Sequence, residues 1–271
     1  MNRLAVLAIL SVAGLVGCSS AEPASGPTPS AASFIATPST TSSNDVMASP
    51  TIEGSFSVLA GHLSMRCFGT GAPAIILLAG DDSGGNVFSS SFIRPLAQKR
   101  MTCVYDRLGT GNSDPPSAPR RVISQVAADV DQLLAAAKVP TPVVLVGSSG
   151  GGNIALQYAS RHPKSVAGLG LLDVGAPEPD LGKEFPGELA WKNPEHIDWV
   201  DGELQGAKLK LPLGNMPVLV VVAARGQNDP NAPSYWLKSS SDATQVVVEG
   251  GHDVYQDNPD EVARQVLAKL T

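Results

Sequence analysis

The sequence predicts an α/β fold in which a mostly parallel sheet is covered by helices on both faces. Continuous apolar runs alternate along the chain with segments whose apolar residues recur at helical spacing, and this alternation is typical of parallel strands joined by helical crossovers. The apolar run Val143–Val146 leads into the glycine-rich turn Gly147–Gly152, and a helix-like segment follows. The chain of 271 residues is long enough for one such domain with a sizeable core.

Each element is predicted from its own pattern. Ala74–Ala79 is continuously apolar, as a strand buried on both faces requires. In Ile123–Lys138 the apolar residues recur every three or four positions, which predicts a helix. The other predicted elements are the strands His62–Phe68, Thr102–Asp106, Val143–Gly147, Val166–Asp173, Pro217–Ala224 and Thr244–Glu249, and the helices Phe92–Arg100 and Asp260–Leu270.

The N-terminal segment predicts export rather than a folded element. A short basic start is followed by the apolar stretch Leu4–Val16, which is too short to span a bilayer comfortably. Its end, Leu15-Val16-Gly17-Cys18, resembles the lipobox of bacterial lipoproteins. The resemblance implies that residues 1–17 are a signal peptide and that Cys18 is acylated, which would anchor the protein to the membrane. The alternative is an ordinary secretory signal in which Cys18 occurs by chance.

Residues 18–51 form a predicted tether, because they are rich in Ser, Thr, Pro and Ala and cannot bury enough apolar surface to fold. The folded domain is therefore expected over residues 52–271. The formal net charge of −6 provides no basic face for contacts to phosphates, which excludes nucleic acid as a partner.

Ser149 is the candidate nucleophile. It is the central residue of a G-x-S-x-G pattern, with Gly147 and Gly151 at the fixed positions. A serine at such a strand-to-helix turn lies on a strained backbone that exposes its Oγ, and larger residues at the glycine positions would clash across the turn. The alternative is a glycine-rich structural turn without chemistry.

Two further motifs accompany this turn. Asp106–Ser113 matches the pattern D-R-x-G-x-G-x-S, and Gly251-His252 followed by Pro259–Val262 matches G-H…P-x-x-V. With these motifs, the chain from about residue 55 to its end resembles the α/β-hydrolases. The resemblance implies a serine nucleophile, an acid and a histidine in that chain order, with His252 as the base. His62, His162 and His196 are less suitable because they lie on a strand before the nucleophile, at a helix end and in an insert.

The acid has two candidates. The resemblance favours Asp229, in the loop that follows the strand Pro217–Ala224, although this loop is about three residues longer than usual. Some members of the superfamily place the acid one strand earlier, which here corresponds to Asp173.

The oxyanion hole implied by the resemblance consists of backbone N–H groups near Gly80, Asp81 and Gly150. Most relatives have His-Gly in this loop, whereas this chain has Ala79-Gly80-Asp81-Asp82. Two carboxylates there would oppose negative charge if they faced the site, and would form a harmless turn if they faced solvent. The solvent-facing turn is the expected arrangement. Residues 175–216 are expected to form a short cap over the site, with Trp191 and Trp199 either lining the pocket or packing the cap on the body.

Cys67 and Cys103 are an even pair in a chain with an export signal. The resemblance places their strands, the second and fourth, side by side and so implies a disulfide between them. The alternative is two buried free thiols.

These observations lead to the hypothesis of a monomeric, membrane-anchored serine hydrolase that acts on small-molecule or lipid esters. No cofactor or metal is expected, because no metal-ligand motif occurs in the sequence. Three alternatives stay open: acyl transfer, cofactor-free haloperoxidase chemistry on the same residues, and a catalytically inactive protein that uses the fold for binding.

Overall fold

The computed structural model describes residues 45–178, 180–226 and 232–271. Most of the predicted tether, the signal segment, Cys18 and Asp229 therefore lie outside the described residues. Within the described part of the chain the strands are β1 (Ile52–Val58), β2 (Gly61–Phe68), β3 (Ile75–Leu78), β4 (Thr102–Tyr105), β5 (Val143–Ser148), β6 (Val166–Leu172), β7 (Val218–Ala223) and β8 (Ala243–Val248). The helices are α1 (Ser90–Ala97), α2 (Ile123–Ala136), α3 (Gly150–Arg161), α4 (Leu181–Glu184), α5 (Trp199–Ala207), α6 (Ala232–Trp236), α7 (Val254–Asp257) and α8 (Pro259–Leu270).

The strands form one sheet in the order β1-β2-β4-β3-β5-β6-β7-β8. The pairs β1–β2 and β2–β4 are antiparallel, and every later pair is parallel. The predicted fold class is confirmed. The predicted strands are present with ends shifted by a few residues, and β1 is an additional strand that the sequence reading did not identify.

Helices cover both faces of this sheet. The central strand β5 alternates its contacts: Val143 and Leu145 belong to the core on one face, and Val144 and Val146 to the core on the other. Helices α2 and α3 pack together on the first face, while α1 and α8 pack together on the second. This double coverage explains why β3 and β5 are apolar without interruption.

The disulfide between Cys67 and Cys103 is present, and it joins the antiparallel neighbours β2 and β4. The two cysteines are directly opposite in the strand register, and both are fully buried. The sulfurs lie within the core on the face covered by α2 and α3. No helix among the described residues is both long and apolar enough to cross a membrane.

Candidate active site

The turn between β5 and α3 holds Ser149 on a strained backbone. Its φ of 50° and ψ of −127° lie in a region that residues with a Cβ rarely adopt. A Cβ at Gly147 would lie 2.4 Å from backbone atoms of Gly151, and one at Gly151 would lie 2.3 Å from the carbonyl oxygen of Leu78. Glycine is therefore required at both positions, and Ser149 is presented at the C-terminal edge of the sheet.

Asp173 is placed beside Ser149 by the neighbouring strand. Ser148 and Leu172 are paired in the β5–β6 register, so the residues that follow them emerge side by side. Asp173 also has a positive φ of 50°. Its Oδ1 accepts a hydrogen bond of 2.9 Å from the backbone N–H of Ala223, and the carboxylate has no exposed surface. The acid is thus held by the ends of two strands.

His252 forms a hydrogen bond with Asp173. The distance from His252 Nδ1 to Asp173 Oδ2 is 2.7 Å, and the imidazole is 41% exposed. The loop that carries the histidine is fixed by the Asp257 carboxylate, which accepts from the N–H of Gly251 at 2.6 Å. The hydrogen bond to Asp173 raises the pKa of His252 above its ordinary value, and this effect outweighs that of partial burial.

A cavity of about 280 Å³ lies between the sheet edge and the segment that joins β6 to β7. Ser149, Asp173 and His252 all line it. The segment contributes α5, which contacts α2 and α3 on the body. The three groups required for nucleophilic catalysis on a carbonyl therefore meet in one solvent-accessible space.

The loop after β3 forms another wall of the cavity. Arg107 is buried behind it and donates hydrogen bonds to the carbonyl oxygens of Ala79 (2.7 Å) and Gly80 (2.6 Å). The same guanidinium forms a bidentate pair with the fully buried Glu195, at 2.5 and 2.7 Å. Glu195 also accepts from the backbone N–H of Asp82 at 2.8 Å. The loop backbone is therefore fixed on both sides of Asp81.

Comparison with known proteins supports what this geometry indicates. Residues 70–194 match the family described as alpha/beta hydrolase fold. The chain has the α/β-hydrolase fold. "Putative carbamate hydrolase RutD" from Escherichia coli O157:H7 is 34% identical over 98 residues, and its counterpart from Caulobacter vibrioides is 29% identical over 116 residues. These matches span 36% and 43% of the relatives' own lengths, less than half of either protein.

Solved structures share the fold of this α/β-hydrolase at low sequence identity. Cfl2 from Burkholderia cenocepacia is 22% identical, covers 80% of this chain and 94% of its own, and has a TM-score of 0.62. A bacterial membrane phospholipase A is 22% identical, covers 80% of this chain and 85% of its own, and has a TM-score of 0.62. Est816, described as an enzyme that degrades N-acyl homoserine lactones, is 22% identical, covers 79% of this chain and 99% of its own, and has a TM-score of 0.60. At this level of identity the three structures show that the fold is shared.

Most of the sequence-predicted site residues meet in this cavity, and of the two candidate acids it is Asp173 that contacts His252. Ser149, Gly150, Asp81 and His252 line the cavity. Asp173 is the carboxylate bound to His252, whereas Asp229 lies outside the described residues. The two candidates could not be separated on the sequence because both follow a predicted strand, and only the pairing of β5 with β6 shows which strand end adjoins Ser149.

Asp81 faces the site, contrary to the expectation of a solvent-facing turn. A Cβ at Gly150 would lie 1.8 Å from Asp81 Oδ1, so the carboxylate packs directly on this residue. Asp81 is exposed to solvent and lines the cavity. Incomplete solvation raises its pKa to about 6, against the opposing effect of Arg107.

Three cavity residues were not predicted to act together. Trp199 and Glu203 lie four residues apart on α5 and share one face, and Glu178 lies between β6 and α4. Burial raises the pKa of Glu203 to about 7, and the negative charges of Asp81 and Glu178 add to this effect. Only the tryptophan had a sequence signal, as an aromatic residue in the expected cap. Glu203 had no such signal, because a glutamate in a short helix ordinarily faces solvent.

Proposed function

We propose that this α/β-hydrolase is an exported serine hydrolase that cleaves carboxylic esters through an acyl-enzyme. The observation that carries the proposal is that Ser149, on its strained turn, lines the same cavity as His252, whose Nδ1 is bound to the buried carboxylate of Asp173. Ser149 is the nucleophile, His252 the base and Asp173 the acid in this proposal.

In the first step, Nε2 of His252 accepts the hydroxyl proton of Ser149 while Oγ attacks the ester carbonyl carbon. Asp173 holds Nδ1–H and stabilises the imidazolium that forms. The tetrahedral intermediate collapses as His252 returns the proton to the leaving alcohol, which leaves an acyl group on Oγ. Water then attacks the acyl carbon with the same assistance, and the acid product is released with Ser149 regenerated.

In this proposal the backbone N–H groups of Asp81 and Gly150 donate hydrogen bonds to the negatively charged oxygen of the tetrahedral intermediate. Gly150 is the first residue of α3, whose N-terminus carries a partial positive charge. Each oxyanion donor contributes about 3 kcal/mol to the stability of the transition state. Arg107 and Glu195 act as positioning residues here, because they fix the backbone on either side of Asp81.

Labelling with a fluorophosphonate probe tests the proposal. The full chain should be labelled and should hydrolyse p-nitrophenyl butyrate, and Ser149→Ala should lose both activities while it keeps its thermal unfolding transition. Ser160→Ala, at an α3 serine outside the cavity lining, is the matched control and should be labelled normally. A folded wild-type chain that is neither labelled nor active would contradict the proposal.

The membrane anchor is a separate part of the proposal and rests on the lipobox-like Leu15-Val16-Gly17-Cys18. Acylation of Cys18 would hold the domain at the outer face of the cytoplasmic membrane or within the envelope, as a monomer with access to membrane-associated esters. The chain expressed in bacteria with labelled palmitate should carry label in the membrane fraction. Cys18→Ala should carry none, and label retained in that variant would disprove the anchor.

One observation favours a second candidate function, a binding protein without catalytic activity. The Asp81 carboxylate lies against Gly150, where an oxyanion would be stabilised. An ionised carboxylate there opposes the charge that forms in the transition state. The labelling experiment separates the two functions, since a binding protein would keep its fold and react with neither reagent.

A further inference from the structure

Three carboxyl groups line the active-site cavity in addition to the acid that the proposed chemistry uses. Asp81 lines it from the loop after β3, and Glu178 and Glu203 line it from the segment between β6 and β7. Asp173 is already bound to His252 and is not counted among them. Glu203 accepts hydrogen bonds of 3.0 Å from Asn153 Nδ2 and from the backbone N–H of Glu178. Both donors are uncharged, so these hydrogen bonds hold the carboxyl group in place without supplying a countercharge.

The described part of the cavity lining supplies no permanent cation to balance these carboxyl groups. Among the described residues that line the cavity, none is Lys or Arg. Arg107, which lies behind Asp81, is 2% exposed and engaged with the Glu195 carboxylate and two backbone carbonyls. Its positive charge is therefore already paired. An unbalanced group of carboxylates favours a ligand that carries positive charge.

The aromatic lining points to the type of cation. A carbon of the six-membered ring of Trp199 lies 2.9 Å from the position that a Gly150 Cβ would occupy, which places the indole beside the nucleophile turn. In the described part of the chain, no group of three His, Cys, Asp or Glu side chains is arranged to hold a metal ion. Carboxylates spread around a cavity with an indole on its wall suit an alkylammonium group.

The same cation would remove the difficulty that Asp81 creates for catalysis. An ionised Asp81 beside Gly150 opposes an oxyanion, and with a pKa of about 6 this carboxyl group is largely ionised in neutral solution. A substrate ammonium group near Asp81 would cancel that charge when the ester binds. Neutral esters would bring no such compensation.

We infer that the cavity selects ester substrates that carry a protonated or quaternary amine a few atoms from the scissile carbonyl, through Asp81, Glu178, Glu203 and Trp199. This inference deepens the proposed function and rests on it for the reaction, while the recognition of the cation can be measured without turnover.

Two pairs of matched substrates test the inference on the full chain. Acetylthiocholine and 3,3-dimethylbutyl thioacetate differ by a positive charge on the leaving group. The p-nitrophenyl esters of β-alanine and butanoic acid differ by a positive charge on the acyl group. We expect kcat/KM to favour the cation by at least about ten-fold in one pair, and that pair identifies which side of the ester carries the amine. Glu203→Gln should reduce the preference several-fold. Glu184→Gln, the same substitution at an exposed position of α4 outside the cavity, should keep it.

Binding provides the readout that is independent of catalysis. Calorimetry with choline and its neutral isostere 3,3-dimethylbutan-1-ol should show tighter binding of choline, weakened by salt and by Glu203→Gln but not by Glu184→Gln. The inference is overturned if choline binds no better than the alcohol, or if both substrate pairs are hydrolysed without preference. Absent fluorophosphonate labelling with intact choline binding would instead overturn the hydrolase function alone.

Discussion

At the scale of single residues, the hydrogen bond between His252 and Asp173 determines how the proposed catalyst works. A buried carboxylate that holds Nδ1 fixes both the tautomer and the orientation of the imidazole, so that Nε2 is directed away from the acid. The strand register places Asp173 next to Ser149, because Ser148 and Leu172 are paired between β5 and β6. The chemistry at the sheet edge can therefore be tested by exchanging one acid at a time.

Substitution of each candidate acid should separate them. Asp173→Asn is expected to lower kcat by about ten-thousand-fold, because the amide favours the wrong tautomer of His252. Asp229→Asn is expected to change kcat by no more than a few-fold. Steady-state kinetics with p-nitrophenyl butyrate would measure both. A large loss in the Asp229 variant combined with an active Asp173 variant would reverse the assignment.

The pH profile should report the same pair. Because its hydrogen bond to Asp173 raises the pKa of His252, the imidazolium persists above pH 6.5, and kcat/KM should fall as the pH is lowered through that raised value. In Asp173→Asn the acid limb of the residual activity should shift to a lower pH. The titrations of Asp81 and Glu203 are common to both proteins and cancel in the comparison. Coincident acid limbs would show that Asp173 does not control the histidine.

At the scale of elements, a buried ion pair connects the turn after β4 to the segment between β6 and β7, and both side chains also bond the backbone of the loop after β3. Arg107 follows β4 and Glu195 precedes α5, and the side chains are 2% and 0% exposed. Through this pair the wall that contains Asp81 and the wall that contains Trp199 and Glu203 share one support. The arrangement of the carboxylates thus depends on a contact outside the cavity lining.

Removal of one partner should cost more than removal of both. Glu195→Leu leaves the guanidinium of Arg107 buried without a countercharge, and we expect the free energy of unfolding to fall by about 3–5 kcal/mol. The double variant Arg107→Met/Glu195→Leu should lose less than the sum of the single variants. Urea unfolding would measure the coupling. Additive losses would mean that the two charges stabilise the fold independently.

At the scale of the whole molecule, the Cys67–Cys103 disulfide joins strands that are 36 residues apart in sequence. It closes a loop that contains β3 and α1, and so it restricts the unfolded chain. The disulfide lies at the antiparallel end of the sheet, far from the other edge strand, β8. The bond belongs to the stability of the domain rather than to the site, because neither cysteine lines the cavity.

Loss of this bond should lower stability without changing the chemistry. For the Cys67→Ala/Cys103→Ala variant we expect the free energy of unfolding to fall by about 4 kcal/mol, from the entropy of a closed loop of this length. Denaturant unfolding of the two proteins would measure the difference, and p-nitrophenyl ester kinetics at 25 °C should be unchanged. A change below about 1 kcal/mol would mean that the reduced chain retains the same constraint.

The sequence predicts the parts of this molecule that depend on local chemistry. The strained turn at Ser149 requires glycines at fixed positions, and the apolar runs of β3 and β5 require burial on both faces, so short patterns identify them. Asp173 and the orientation of Asp81 depend on strand register and loop packing, which no local pattern contains. The cavity residues Trp199 and Glu203 lie on a helix of nine residues, whose position is decided by its contacts with α2 and α3.

The segment between β6 and β7 supplies Glu178, Trp199 and Glu203, whereas Ser149, Asp173 and His252 all lie on the ends of sheet strands or in the loop after β8. The proposed reaction and most of the proposed ligand preference are therefore encoded in different stretches of the gene. A lineage could acquire a new substrate by replacing one contiguous insert while it inherits the reactive groups unchanged. Descendants of such a protein would then share their chemistry and differ mainly in the charge of the molecules they accept.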